Sequence, residues 1–145
     1  NAALMSKLDA ICAANNIQYW LSYGSLVGTL SRSGFIPWDD DIDICMLRSD
    51  VDKLTAALKD DPEYQITLVY DWFVKCRQVR FCSTNSLIPC FVDISIYDRA
   101  AENSKRANDR LRQLRIELMD FFDKNEHEFS FWKDNPWIVS SRQWS

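Results

Sequence analysis

Four aspartates fall within five consecutive positions in the segment Asp39-Asp40-Asp41-Ile42-Asp43. Two unit charges about 4 Å apart interact by about 1 kcal/mol in water and about 4 kcal/mol at an effective dielectric near 20. Partly buried carboxylates in such a cluster therefore repel one another unless a cation neutralises them. Residues two apart in a strand point to the same face, so Asp41 and Asp43 would stand together while Ile42 and Ile44 pack on the other side. Magnesium takes oxygen ligands and is typically held by one or two carboxylates plus substrate phosphates. Phosphate chemistry assisted by magnesium or manganese is the expectation. Asp39 and Asp40 follow Pro37 and read equally well as loop or capping residues. Asp39, Asp41, Asp43 and Asp50 also fall in the register of an EF-hand loop, but Ile44 stands where that loop needs glycine, which excludes it.

Two further features share this chemistry. Ile17 to Tyr23 is β-branched and aromatic and predicts a strand, broken at Gly24-Ser25 before a short helix through Leu26, Val27, Thr29 and Leu30 that Gly34 stops. A strand turning at Gly-Ser into a helix suits phosphate, because glycine lets a ligand approach the backbone and the helix start offers unpaired N–H groups. The alternation of Val92, Ile94 and Ile96 against Asp93, Ser95 and Tyr97 predicts a strand over Phe91 to Tyr97, with Asp93 on its polar face. Candidate phosphate clamps are Arg32, near the aspartate loop, and Lys75, Arg77 and Arg80, on a predicted strand over Phe73 to Phe81 with Lys75 and Arg77 on the same face; an ordinary solvated sheet face is the equal alternative, and guanidinium groups grip phosphate bidentately. The single histidine, His127, lies between Glu126 and Glu128 and reads as a solvated surface residue. Trp38 and the C-terminal tryptophans could offer ring faces to a choline group, although six tryptophans in one domain are expected mostly to pack.

The elements that must position these groups follow from periodicity. Residues 2 to 15 carry Leu4, Leu8, Ile11 and Cys12 at helical spacing. After the aspartates comes a strand to Met46, then a helix capped by Ser49 and running through Leu58. A strand over Gln65 to Tyr70 follows, and residues 101 to 122 trace a long amphipathic helix through Ala107, Leu111, Leu114, Leu118, Phe121 and Phe122. The fold class is α+β, a mixed sheet flanked by helices. At 145 residues and 47% hydrophobic content, the chain is expected to form a single domain. A net charge of −4 and a pI near 4.9 speak against a nucleic-acid grip through a broad basic surface. No apolar run approaches the ~18 residues of a membrane span, so a soluble cytoplasmic protein is the default. Five cysteines without a C-x-x-C pair read as reduced thiols, and Cys76, Cys82 and Cys90 match no common zinc spacing.

Gly24-Ser25, Asp41-x-Asp43 and Asp93, in that order, resemble the nucleotidyltransferase superfamily of the polymerase β type. Within it, Tyr19-Trp20-Leu21-Ser22-Tyr23-Gly24-Ser25-Leu26-Val27-Gly28 and Gly34-Phe35-Ile36-Pro37-Trp38-Asp39-Asp40-Asp41-Ile42-Asp43-Ile44 are similar to the LicD family, which includes bacterial phosphocholine transferases and the fukutin-related ribitol-phosphate transferases. The likeness is strong from about Ala2 to Leu58 and extends to Asp98. Members typically run longer, so the chain, which begins with Asn1, reads as part of a longer protein.

The resemblance implies a nucleotidyltransferase-like fold in which Asp41, Asp43 and Asp93 hold magnesium or manganese and carry catalysis. Gly24 and Ser25 would hold phosphate, helped by Arg32, Lys75 or Arg77. The implied partners are a CDP-activated phospho-alcohol donor such as CDP-choline and a sugar hydroxyl of a cell-surface glycoconjugate, for instance lipopolysaccharide or teichoic acid. Neither a nucleic-acid partner nor a membrane span is expected. Rival readings are transfer of the nucleotide itself to a small molecule or protein, a domain that binds nucleotide or a partner without turnover, and a D-x-D glycosyltransferase, which lacks the preceding Gly-Ser turn.

Overall fold

A computed structural model describes residues 2–39, 41–71, 76–100, 103–125 and 138–140. Lys75, His127 and the aromatic tail residues Phe129, Phe131, Trp132, Trp137 and Trp144, singled out above, lie outside the described residues. Helix α1 (Ala2–Ala14) buries Leu4, Leu8 and Cys12, one turn apart on a single stripe. Asn16 ends it in the left-handed region (φ 52°), a conformation asparagine tolerates, and the Ile17 N–H donates back to the Cys12 carbonyl at 2.9 Å. The predicted strand over Ile17–Tyr23 contracts to β1 (Trp20–Leu21), because only those two residues find a partner strand. Helix α2 (Tyr23–Arg32) then starts three residues earlier than the apolar spacing indicated.

Strand β2 (Asp43–Leu47) runs directly into α3 (Arg48–Ala57). Ser49 is therefore not its cap: Leu47 holds that position, with no side-chain cap bond, and Arg48 instead clasps Asp98 through two hydrogen bonds of 2.8 and 2.6 Å. Strands β3 (Tyr64–Asp71) and β4 (Cys76–Ser83) pair antiparallel, β4 pairs antiparallel with β5 (Phe91–Tyr97), and β5 returns parallel to β2. With β6 (Ile138–Ser140) on β3, the six-stranded mixed sheet has the order β1-β2-β5-β4-β3-β6. The alternation predicted for β5 is realised over the same residues.

One face of the sheet is the core. Ile44, Met46, Val92, Ile94, Val79, Phe81, Ile66 and Leu68 meet Leu4, Leu8 and Cys12 of α1 and Val51 and Leu54 of α3. Burial pushes the Cys12 thiol up to about 11, with Asp9 and Asp50 adding to the shift. Cys12, Cys45, Cys82 and Cys90 are free thiols, as the spacing led one to expect. The long helix α4 (Lys105–Lys124) forms where the stripe predicts it, and Ser104 caps it by accepting from the Ala107 N–H. None of its described residues is buried. No described helix is long and apolar enough to cross a membrane.

Candidate functional site

The opposite face of the sheet carries the carboxylates. Asp43 opens β2, and Asp93 is its register partner on the parallel strand β5, fixed there by the Asp93 N–H donating to the Ile42 carbonyl at 2.8 Å. Register partners share a face, so two residues fifty positions apart stand side by side. Asp41, just before β2, joins them: one carboxylate oxygen from each of Asp41, Asp43 and Asp93 lies within 4.8 Å of the others, and all three residues are half-buried. Among the described residues this is the only group of three or more potential metal ligands.

The electrostatics of the cluster are those of carboxylates held close together in partial burial. The Asp43 carboxyl is raised above its ordinary value by burial first, then by Asp93 and Asp39; a hydrogen bond from the Gly24 backbone partly opposes the rise. Asp93 has internal help, since Arg80 Nε donates to its Oδ1 at 2.7 Å. The same guanidinium lies 3.8 Å from the centre of the Phe91 ring and donates through Nη2 to Gln78 Oε1 at 3.3 Å. Arg80 is the register partner of Asp93 across β4 and β5.

The Gly24-Ser25 turn is stitched to the start of β2. Ser22 N–H donates to the Asp43 carbonyl at 3.1 Å, and the Asp43 N–H donates to Ser25 Oγ at 2.8 Å. Ser25 is 3% exposed, so its hydroxyl sits beneath the site and fixes the backbone of Asp43. A Cβ at position 24 would crowd Oδ2 of Asp39, so any larger residue there would have to push the Asp39 side chain aside. Tyr23, immediately before, adopts φ 43°, in the left-handed region. Ser22 Oγ is, among the described residues, the one buried side-chain polar atom without a partner. An orphaned hydroxyl beside a Gly-Ser turn and three converging carboxylates form a donor set of hard oxygens, which fits a magnesium-type cation with a phosphate ligand.

The other predicted clamps are placed differently. The Arg32 guanidinium lies 5.1 Å from the centre of the Trp38 ring, at the end of α2, about 12 Å of helix rise beyond Gly24. Trp38 is thus already faced by a cation. Arg77 lies in β4 opposite Tyr70 of β3. Two contacts were not assigned from the sequence: Asp39, read there as a loop or capping residue, against Gly24, and Arg80, one of the candidate phosphate clamps, on Asp93. Alternation along β4 could have placed Arg80 on one face, but only the register shows which carboxylate it meets.

Residues 16–144 match the family described as LicD/FKTN/FKRP, nucleotidyltransferase domain. The chain belongs to this family. The LicD-family likeness extends to the lipopolysaccharide cholinephosphotransferase LicD of Haemophilus influenzae, 28% identical over 114 residues, covering 70% of this chain and 43% of that protein. It extends also to an uncharacterized protein of Rickettsia prowazekii, 34% identical over 68 residues, covering 47% of this chain and 26% of that one. The chain spans less than half the length of the curated relatives it matches.

Proposed function

We propose that this LicD-family chain contributes the donor and metal site of a transferase that moves phosphocholine from CDP-choline to a sugar hydroxyl of a cell-surface glycoconjugate, releasing CMP. The observation that carries the reading is the convergence of Asp41, Asp43 and Asp93 beside the Gly24-Ser25 turn. The name of the Haemophilus relative supplies the choline-phosphate class. Asp41, Asp43 and Asp93 would hold magnesium or manganese, which when bound supplies positive charge against the donor pyrophosphate and the charge that develops in an in-line displacement.

The chain's own residues divide the remaining work. Ser25 fixes the Asp43 backbone, so the carboxylate is aimed before ligand arrives. Gly24, with no side chain, keeps the turn close to Asp39 and gives its N–H to the Asp43 carboxylate. Arg80 occupies Oδ1 of Asp93 and leaves Oδ2 for one of two duties, completing the ligand set or receiving the acceptor hydroxyl's proton. The sugar oxygen bonds to the phosphocholine phosphorus while the bond to CMP breaks.

The test is CDP-choline labelled in both halves, incubated with magnesium, the protein and an acceptor glycan. Labelled phosphocholine on the glycan with free CMP is the expected result. Nucleotide on the product would show nucleotidyl transfer instead, and binding without consumption across varied acceptors would show a domain that only binds. Asp41→Asn and Asp43→Asn are each expected to abolish turnover while leaving the fold intact.

A further inference from the structure

Beyond the carboxylates, the same face of the sheet turns aromatic. Trp20 of β1 is the register partner of Cys45, two residues past Asp43, and Tyr97 of β5 lies four residues past Asp93. Both therefore share the face of the aspartates. Their rings meet edge to face, with centroids 5.6 Å apart and planes at 63°, a contact that covers one ring face of the pair. The Tyr97 side chain interacts with Cys45 of β2 and with Tyr23, the residue next to Gly24, so it lies over β2 on the side of the Gly24-Ser25 turn. Cys45 beneath is 1% exposed, whereas Trp20, Tyr23 and Tyr97 are 43%, 62% and 46% exposed. Tyr23 holds the left-handed backbone conformation noted above, which a tyrosine keeps only where its surroundings over-determine it.

We infer that Trp20, Tyr23 and Tyr97 receive the trimethylammonium group of the donor's phosphocholine. The inference rests on the donor reading given under Proposed function and names the residues that would select its alcohol. A quaternary ammonium has no N–H to donate, so aromatic faces are its best partners in a protein. The interval suits such a donor: two residues of strand separate Asp43 from the position opposite Trp20, about 7 Å, within reach of a phosphate ester with an aminoethyl arm. A primary ammonium is strongly hydrated and would exchange good hydrogen bonds with water for ring faces, so choline is preferred over ethanolamine.

Calorimetric titration of the protein in magnesium with CDP-choline, CDP-ethanolamine and CMP tests the assignment. CDP-choline should bind tightest, and Trp20→Ala should weaken it about tenfold while CMP and CDP-ethanolamine change by less than about twofold. Tyr97→Leu should behave alike and replaces Trp20→Ala if that variant loses its cooperative thermal transition. An equal loss for CMP would assign the rings to the nucleobase and overturn the inference, as would unchanged CDP-choline affinity in both variants. If neither CDP-choline nor CMP binds the wild type, the donor reading itself falls and takes this pocket with it. If both bind equally and the variants are silent, only the pocket falls.

Discussion

Replacing Asp43 with asparagine removes one of three negative charges whose oxygens approach within 4.8 Å, and keeps an oxygen that can still accept the Gly24 N–H. At that separation one pair of charges repels by about 3 kcal/mol at an effective dielectric near 20 and by under about 1 kcal/mol in water. Asp43 is half-buried, the charges that press on it are Asp93 and Asp39, and Arg80 offsets part of the charge on Asp93, so the two repulsions relieved should together be worth about 1–2 kcal/mol. In a chelator, Asp43→Asn should therefore melt about 3–6 °C above the wild type. In millimolar magnesium the order should reverse, because a cation bound only by the folded state stabilises the intact cluster. The pH dependence has a definite sign. A carboxyl raised in the fold contributes stability below its unfolded value, and loses it as pH rises through the folded value. The chelated wild type should thus close its gap to Asp43→Asn as pH falls from 7 toward 4. Differential scanning calorimetry across this pH range, with and without magnesium, measures each part. A chelated variant less stable than the wild type, or a magnesium response equal in both proteins, would refute the account of crowded carboxylates that a bound cation relieves.

Arg80→Met should act in the opposite direction. With side-chain exposures of only 24% and 18%, the Arg80–Asp93 pair leaves a poorly solvated carboxylate when broken, which should lower chelated stability by about 1–3 kcal/mol in urea titrations and enlarge the stabilisation by magnesium. Unchanged stability in chelator would show that the pair contributes nothing. Gly28→Ala should destabilise by about 1–3 kcal/mol despite the better helix propensity of alanine, because its Cβ would lie 2.6 Å from the Gly34 carbonyl oxygen and 3.0 Å from the Ile36 nitrogen, both backbone atoms. Gly34→Ala, with nothing within 4 Å of the new Cβ, is the control and should stay within about 0.5 kcal/mol; equal effects at the two glycines would contradict the packing of the 33–39 segment on α2.

The arrangement explains why a family of short motifs can be read so far along this chain. The core needs only one face of the sheet, which α1 and α3 cover, and the other face carries the clustered carboxylates and exposed aromatic residues. Along β5 that division was legible residue by residue, since alternation is a local property of the strand and demands no knowledge of its neighbours. The same holds for α1 and α4, whose apolar stripes recur at the helical period. Local pattern failed where a partner decides the outcome. Ile17 to Tyr23 has the composition of a full strand, yet the hydrogen-bonded partner β2 pairs with only two of its residues. Ser49 has the chemistry of a cap, yet β2 leads so directly into α3 that the position falls to Leu47.

The candidate site divides along the same line. The D-x-D pair, the Gly-Ser turn and a polar-face aspartate on a later strand are properties of residue type and spacing, and the expectation of cation-assisted phosphate chemistry rested on them alone. That Asp93 faces Asp43, that Arg80 rather than Arg32 attends the carboxylates, that Ser25 turns inward to hold Asp43, and that Asp39 presses on Gly24 were decided by tertiary structure. Each of these depends on strand register or loop closure between segments up to fifty residues apart. A shift of one residue in the β2–β5 or β4–β5 pairing would turn the same side chains to opposite faces, and periodicity within a single strand carries no information about its neighbour's phase.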